Sequence, residues 1–389
     1  MASPPLVAVV DTSPGPGGAV TSVLALEESV RARGMRTVVI ARVPSAVRAM
    51  APNLEVIDLG ADDLSAVHGR AYVAREAERA RKLLRLCRKL RPSVLLANNT
   101  PPANLAAYVT APLLGVPLAQ YVRGPFHCSR LASACLARAS RIFTVGHGAA
   151  RCVATSNVEF SRVQEGLREH AWPTPRRADA HHWLWCSALV GWKGLPLALE
   201  AYRRAALQES LPPLEVCFAR TDGKHPDTVP LPSTIPPGVI LHELPPDLDG
   251  IRARCQVYLH TALAPEPFGR SILEAMAAGL CPLVPDHGES APLVDPGRTG
   301  LEYRACDPDA LAVRLVELAR RPEHARLLGE AASEAARSYR AATIFGPVAD
   351  QLLQLAHPRG ARSGLRDAPK LHAPVNLEDL CSSLNPRLP

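Results

Sequence analysis

Glu266 and Glu274 bracket the most chemically suggestive segment of the chain, Glu266-Pro-Phe-Gly-Arg-Ser-Ile-Leu-Glu-Ala-Met-Ala-Ala-Gly279. A strand ending near His260 leads into a loop that carries Glu266. Gly269 permits an unusual backbone angle or a close approach, and a helix then runs from near Arg270 to Gly279. The free amides of Gly269, Arg270 and Ser271, with the helix dipole behind them, make an anion site. Both carboxylates can accept hydroxyls of a sugar or a ribose. The bland account of the same residues makes Glu274 a first-turn helix acid and Glu266 a solvated loop acid.

Other candidates carry weaker cases. Asp307-Pro-Asp309 and Asp247-Leu-Asp249 have a spacing that can hold a metal, yet each stands immediately before an expected helix, where capping explains it. No metal dependence is expected. Asn98-Asn99-Thr100 ends a buried strand and can touch an acceptor or form an Asx turn. Arg123 follows the next strand and can bind a phosphate or an acidic acceptor, or serve as a surface charge. The opening strand-loop-helix offers Gly15-x-Gly17 for a dinucleotide. The third small position is Val20, however, and Arg42 stands where an NAD site wants an acid.

Positioning these residues requires an alternating α/β chain. Leu6 to Val10 reads as a buried strand, Asp11 to Gly18 as a loop, Ala19 to Arg33 as a helix stopped by Gly34, and Thr37 to Ala41 as a second strand. A long helix from about Ala71 to Leu90 follows. Further strands are expected at Val94–Ala97, Leu118–Val122 and Arg141–Val145, with a helix near Ala103–Leu114. The stiff stretch between His170 and His181 separates this from a second series. That series has strands at His182–Ser187, Leu214–Ala219, Val239–Leu241, Gln256–His260 and Cys281–Val284. Its helices are Leu195–Ala206, Ser271–Ala278 and Asp309–Arg320. The expected fold is therefore two doubly wound, Rossmann-like α/β domains facing a cleft, over 1–170 and 181–338. A helix at 339–356 crosses back to the first, and 357–389 forms a polar, Pro-rich tail.

Composition narrows the class. The 389 residues are 47% hydrophobic and 21% charged, which excludes a disordered or fibrous chain, and 38 prolines imply many stiff connections. The net charge of +7 favours anionic partners without choosing among them. Nucleic-acid binding has only that charge behind it, so no nucleic-acid partner is expected. No signal peptide is expected in the opening residues, where no basic stretch precedes the apolar run and Asp11 cuts it short. The uncharged stretch from Pro92 to Val122 is too short and too proline-broken to span a bilayer. The ten cysteines lack Cys-x-x-Cys and zinc-ligand spacing, the pattern of reduced thiols in a cytoplasmic protein. The helix 71–90 carries Arg75, Arg79, Arg81, Lys82, Arg85, Arg88 and Lys89, with Tyr72, Leu83, Leu86 and Leu90 as its apolar side. It can lie peripherally on an anionic membrane at the inner face, or form a solvated outer helix of the domain.

The Glu266–Gly279 segment resembles the E-x7-E signature of the family-4 retaining glycosyltransferases of GT-B fold. Val257-Tyr-Leu-His-Thr261 resembles the family's preceding strand, and Asp295-Pro-Gly-Arg-Thr-Gly-Leu301 its later glycine loop. The Gly17-Gly18 loop and the Lys193-Gly194 pair opening a helix also fit, so the resemblance reaches to about Ala356. It implies a nucleoside-diphosphate sugar as donor substrate, no other cofactor, and a glycan or lipid-linked acceptor. By that resemblance Glu266 would hold the donor sugar, Glu274 the ribose, and Lys193 the leaving diphosphate, beside Phe268, Gly269, Arg270 and Ser271. Gly17 and Gly18 would let backbone approach the phosphates. Two departures stand out. Ser187 and Ala188 occupy the places of a usual arginine, for which Arg220, Arg270 or Arg176 can substitute. Arg123-Gly124, with His127 beyond, replaces a usual histidine. These departures motivate the alternative of a GT-B binding or regulatory subunit without activity.

Overall fold

The computed structural model of the chain describes residues 3–13, 17–60, 70–155, 158–220, 228–288 and 290–357. The tail of 358–389 and the 14–16 part of the first loop, Gly15 included, lie outside the described residues.

Among the described residues the first sheet contains β1 (Leu6–Asp11), β2 (Arg36–Ala41), β3 (Glu55–Asp58), β4 (Val94–Asn98), β5 (Leu118–Val122), β6 (Arg141–Thr144) and β7 (Ser161–Arg162). Their order is β3-β2-β1-β4-β5-β6-β7, all parallel. Between them run α1 (Gly18–Ala32), α2 (Pro44–Met50), α3 (Arg70–Leu90), α4 (Leu105–Leu114), α5 (Arg130–Leu136) and α6 (Gly146–Ala154). The apolar strand residues are buried on both faces, as a parallel sheet between helix layers requires. Gly34 ends α1 at φ +73: its amide donates to Arg31 O (2.9 Å) and the Met35 amide to Val30 O (3.3 Å), the Schellman arrangement.

The second sheet, β8 (His182–Ala188), β9 (Leu214–Ala219), β10 (Val239–Glu243), β11 (Cys255–Leu259), β12 (Cys281–Pro285) and β13 (Leu301–Tyr303), has the order β10-β9-β8-β11-β12-β13 and is also parallel. Its helices are α7 (Leu195–Ala206), α8 (Leu248–Ala253), α9 (Arg270–Ala277), α10 (Pro308–Arg320) and α11 (Pro322–Ala336). The last helix, α12 (Ala341–Ala356), packs on α1, where Arg33 grips Asp350 through Nε (2.7 Å) and Nη2 (3.1 Å).

The chain passes between the two sheets twice, and the crossings are bonded to each other. The Leu167 amide donates to Tyr339 O and the Ala341 amide to Leu167 O, both at 2.8 Å. Beyond the first crossing, Arg176 and Arg177 already donate backbone amides to Ala278 O and Ala253 O of the second sheet's shell (both 2.7 Å). The chain therefore joins the second sheet's surroundings inside the His170–His181 stretch, before β8 begins.

No helix among the described residues is long and apolar enough to cross a membrane. The apolar side of α3 faces the domain: Leu83 is fully buried, and Leu86 and Leu90 pack on the core between α3, α4 and the first sheet. The apolar residues of α3 are thus covered by the domain itself, and it is the basic side of the helix that is turned outward. The Tyr72 side chain lies outside the described residues. Arg81, Arg85, Arg88 and Lys89 are left facing out.

Candidate functional site

In a doubly wound sheet the crevice opens where strand order reverses, at the carboxyl ends of the two strands flanking the reversal. In the first sheet these strands are β1 and β4, ending at Asp11 and Asn98, which are register partners. In the second they are β8 and β11. The loop after β8 carries Lys193, and the loop after β11 carries Glu266. The two crevices meet. A Cβ placed on Gly18 would lie 3.3 Å from Arg270 Cδ, and one on Gly124 would lie 3.8 Å from Pro267 Cγ.

On the second-sheet side, Lys193 Nζ donates to Glu266 Oε2 and rests 4.0 Å from the centre of the Trp192 ring. Thr261 holds the two loops together. Its hydroxyl faces the carbonyls of Lys193 (3.1 Å) and Gly194 (3.0 Å) and accepts from Trp185 Nε1 (2.9 Å). The Leu263 amide donates to Trp192 O (2.7 Å), a further link between the same loops. Glu266 is also backed by the turn after β12, since a Cβ on Gly288 would come within 3.0 Å of the Glu266 nitrogen.

Gly269 caps α9 at φ +94, a region that glycine enters freely, and a Cβ there would lie 2.7 Å from Ile272 Cδ1. The first amides of α9 have no carbonyl of their own helix to meet, which leaves a local positive potential at its amino end. Glu274, one turn into α9, sits between Arg252 Nη2 (3.5 Å) and Arg270 Nη2 (3.6 Å). Ser271 is the neighbour of the buried Tyr258 phenol. Phe268 is buried and meets Tyr339 edge-on, so it anchors this loop against the second crossing rather than facing open space.

On the first-sheet side Arg123 is not a surface charge. Its side chain is 7% exposed and lies flat on Tyr121, 3.6 Å from the ring centre. Nε donates to Asn98 Oδ1 (2.7 Å) and Nη1 to Glu165 Oε1 (3.1 Å), while buried Nη2 has no partner. Asn98 in turn donates to Asp11 Oδ1 (2.8 Å), which also accepts from Ser13 Oγ (2.8 Å). Asn99, at φ +100, receives the adjacent Thr100 amide on its own side-chain oxygen (3.0 Å); an Asx turn would need the amide two residues on, and that residue is Pro101.

Glu165 joins the two sides, and nothing in its sequence context marked it. It is buried on the first crossing, accepts from Ser22 Oγ, and lies 3.6 Å from Arg270 Nη1, which donates to Gly166 O (3.2 Å). The polar chain thus runs Asp11–Asn98–Arg123–Glu165–Arg270–Glu274 from one crevice to the other.

The arginines that could stand in for the residue absent at Ser187 and Ala188 are otherwise engaged. Arg176 donates to Gly279 O (2.8 Å) and Glu330 (3.3 Å), behind α9. Arg220 is paired with Glu243 (2.9 Å), and residues 221–227 of its loop lie outside the described residues. Of the three, Arg270 is the one whose partners, Glu165 and Glu274, belong to the cleft. The aspartate pairs act as caps: Asp307 accepts the amides of Asp309 (2.9 Å) and Ala310 (3.0 Å), and Asp247 accepts that of Gly250 (2.7 Å). Gly17 stands at φ 174, extended backbone open to any residue, and a Cβ there would meet nothing within 4 Å.

Residues 183–335 match the family model of the group 1 glycosyl transferases, a stretch containing Lys193, Glu266 and Glu274. Over those residues the match supports the group 1 glycosyltransferase part of the resemblance read from the Glu266–Gly279 segment. Comparison with curated protein sequences finds no match. Among solved structures, HepE from Anabaena in complex with UDP superposes with a TM-score of 0.71 at 17% identity, covering 90% of this chain and 99% of its own. A glycosyltransferase from Rickettsia africae gives 0.72 at 12% identity, over 91% of this chain and 99% of that one. Sucrose-phosphate synthase from Thermosynechococcus elongatus gives 0.70 at 16% identity, over 90% and 98%. The chain has the GT-B glycosyltransferase fold.

Proposed function

We propose that this protein is a retaining glycosyltransferase that moves a hexosyl group from a nucleoside-diphosphate sugar to a glycan or lipid-linked acceptor. The observation that carries the reading is the Lys193–Glu266 pair, made between the two loops at the switch point of the second sheet, with α9 and its Arg270–Glu274 pair following directly from the loop that bears Glu266. A departing diphosphate gains negative charge, and a fixed cation with oriented amides stabilises it more than the bound donor. Lys193 and the α9 amides supply that field, Glu266 takes sugar hydroxyls, and Glu274 takes the ribose. HepE has been solved with UDP and with UDP-glucose, which makes uridine nucleotides the first donors to test.

The acceptor enters from the first sheet, over Gly17 and toward Arg123. Asp11 is buried and bonded to Asn98 and Ser13, and Glu266 is ion-paired, so neither is set up as a free nucleophile. Departure and attack on the same face of the sugar fits these partners better than a covalent intermediate. No metal is required on this reading, since Lys193 and the α9 amides meet the diphosphate charge. A lipid-linked acceptor at the inner face of the membrane accords with the outward arginines of α3.

A second reading, a GT-B subunit that binds without turnover, draws on Ala188 and on the engagement of Arg176 and Arg220 elsewhere. Calorimetric titration with UDP, GDP, ADP, dTDP and CMP, on wild type and Glu274→Ala, separates the two when paired with donor turnover. One nucleotide bound by wild type and lost in the variant, with release of that nucleotide from its sugar conjugate on turnover, supports the enzyme. Binding without any turnover favours the subunit, and no binding to any nucleotide overturns the donor site.

A further inference from the structure

One buried side chain beside Glu266 has no partner. His260 extends β11 by a residue, and its backbone is pinned from both sides: the amide donates to Leu283 O (2.9 Å) and the carbonyl accepts from Tyr303 Oη (3.0 Å). The imidazole is 5% exposed, and its Nε2 is buried without a hydrogen bond. That nitrogen is 3.9 Å from Glu266 Oε2, too long for a hydrogen bond yet within reach of a small side-chain rotation. The same oxygen is occupied by Lys193.

The arrangement holds one acceptor and two donors, of which only Lys193 is engaged. On the glycosyl-transfer reading above, on which this inference rests, the diphosphate draws Lys193 away. Glu266 would then be left in a largely buried place with its charge uncompensated, at the moment it must hold sugar hydroxyls in a fixed geometry. We infer that His260 is the alternate partner of Glu266: its Nε2–H donates to Glu266 Oε2 once Lys193 turns to the donor diphosphate. His260 is thereby a positioning residue for the sugar-binding carboxylate.

The groups facing the imidazole suit this task. Burial pushes His260 down to about 3, and the positive charge of Lys193 and the neighbouring His287 push the same way. A neutral ring gives a hydrogen bond without giving up a proton, so Glu266 stays an anion and keeps its power to accept from hydroxyls. His287 is itself tied to Ala262 O (3.2 Å) and does not compete for Glu266.

Two variants test the role, with the binding nucleotide of the titration above and its sugar. His260→Phe removes the donor and fills the space, while His260→Gln keeps an N–H. The expected result is a kcat about 10- to 100-fold lower in His260→Phe, the span for a hydrogen bond to a charged group. Nucleoside-diphosphate affinity should stay within about twofold, and His260→Gln should recover most of kcat. Wild-type kcat in His260→Phe, or equal losses of affinity and kcat in both variants, overturns the inference. A protein that binds no nucleotide sinks the glycosyl-transfer reading, and the partnership is then read without a donor. In nitrogen-labelled histidine spectra, Lys193→Met should shift the His260 Nε2–H downfield and slow its exchange with water. The change should be absent from Lys193→Met/Glu266→Gln. An unmoved resonance in Lys193→Met overturns the inference on its own.

Discussion

Gly194 holds its backbone against the carbonyl of Thr261, so that the turn bearing Lys193 and the strand end leading to Glu266 touch main chain to main chain. A Cβ at Gly194 would overlap the Thr261 carbonyl oxygen and lie 3.0 Å from its carbon, and Gly194 has φ +72. Space and backbone angle both demand glycine. Gly194→Ala is expected to cost about 2–5 kcal/mol, from left-handed strain plus overpacking. It should also weaken nucleoside-diphosphate affinity by displacing Lys193. Urea unfolding and calorimetry together check this, and a variant as stable as wild type would refute it.

Gly17 provides the contrast. Its extended φ and empty surroundings predict that Gly17→Ala leaves stability within about 0.5 kcal/mol. If that empty volume receives the donor or the reacting centre, turnover should nevertheless fall. Unaltered kinetics in a stable variant would remove Gly17 from the site.

Glu266→Gln separates binding from transfer. The substitution removes the anion that occupies Lys193, so nucleoside-diphosphate affinity should hold or rise while sugar transfer is lost. Calorimetry alongside donor turnover distinguishes this from a folding defect. Full transfer activity would end the role assigned to Glu266.

Glu165 accounts for two largely buried guanidinium groups at once. Glu165→Ala would leave Arg123 and Arg270 short of an anion, a loss expected to cost about 3–5 kcal/mol. Equilibrium unfolding is the measurement. A change below about 1 kcal/mol would mean that water replaces the carboxylate at little cost.

Acid should destabilise the protein through His260. Its folded-state pKa, about 3, lies below the ordinary value, so the unfolded chain binds the proton more readily. Stability therefore falls as pH drops below about 6.5 and continues to fall toward the folded value, by up to ~1.4 kcal/mol per pH unit from this residue. His260→Gln should flatten that part of the profile between pH 6.5 and 5. An unchanged slope would show that the buried ring is not what titrates.

Much of this architecture was legible along the chain, for a local reason. Runs such as Leu6–Val10 and Leu118–Val122 are apolar throughout because parallel strands are covered on both faces. Gly34 and Gly279 punctuate helices where the φ values of +73 and +85 need glycine. The short elements β3, β7, β13, α2, α5 and α6 escaped, having too few residues for a period to show. So did α11, although Pro322 at its first turn was a usable start signal.

The donor-side segment 266–279 was equally readable, because a strand end, a glycine and a helix start are contiguous in sequence. What each charge meets was not. Lys193 and Glu266 come together only because strand order reverses between β8 and β11. Arg123 is a buried, stacked cation only because Glu165 arrives on a crossing segment from elsewhere in the chain. The sequence by itself determined most of the alternating strands and helices, several of their caps, and a family resemblance reaching to about Ala356. The tertiary structure alone decided which side chains are buried and whom they pair with. Burial and ion pairing depend on surfaces that are far apart along the chain and adjacent only after both sheets have formed.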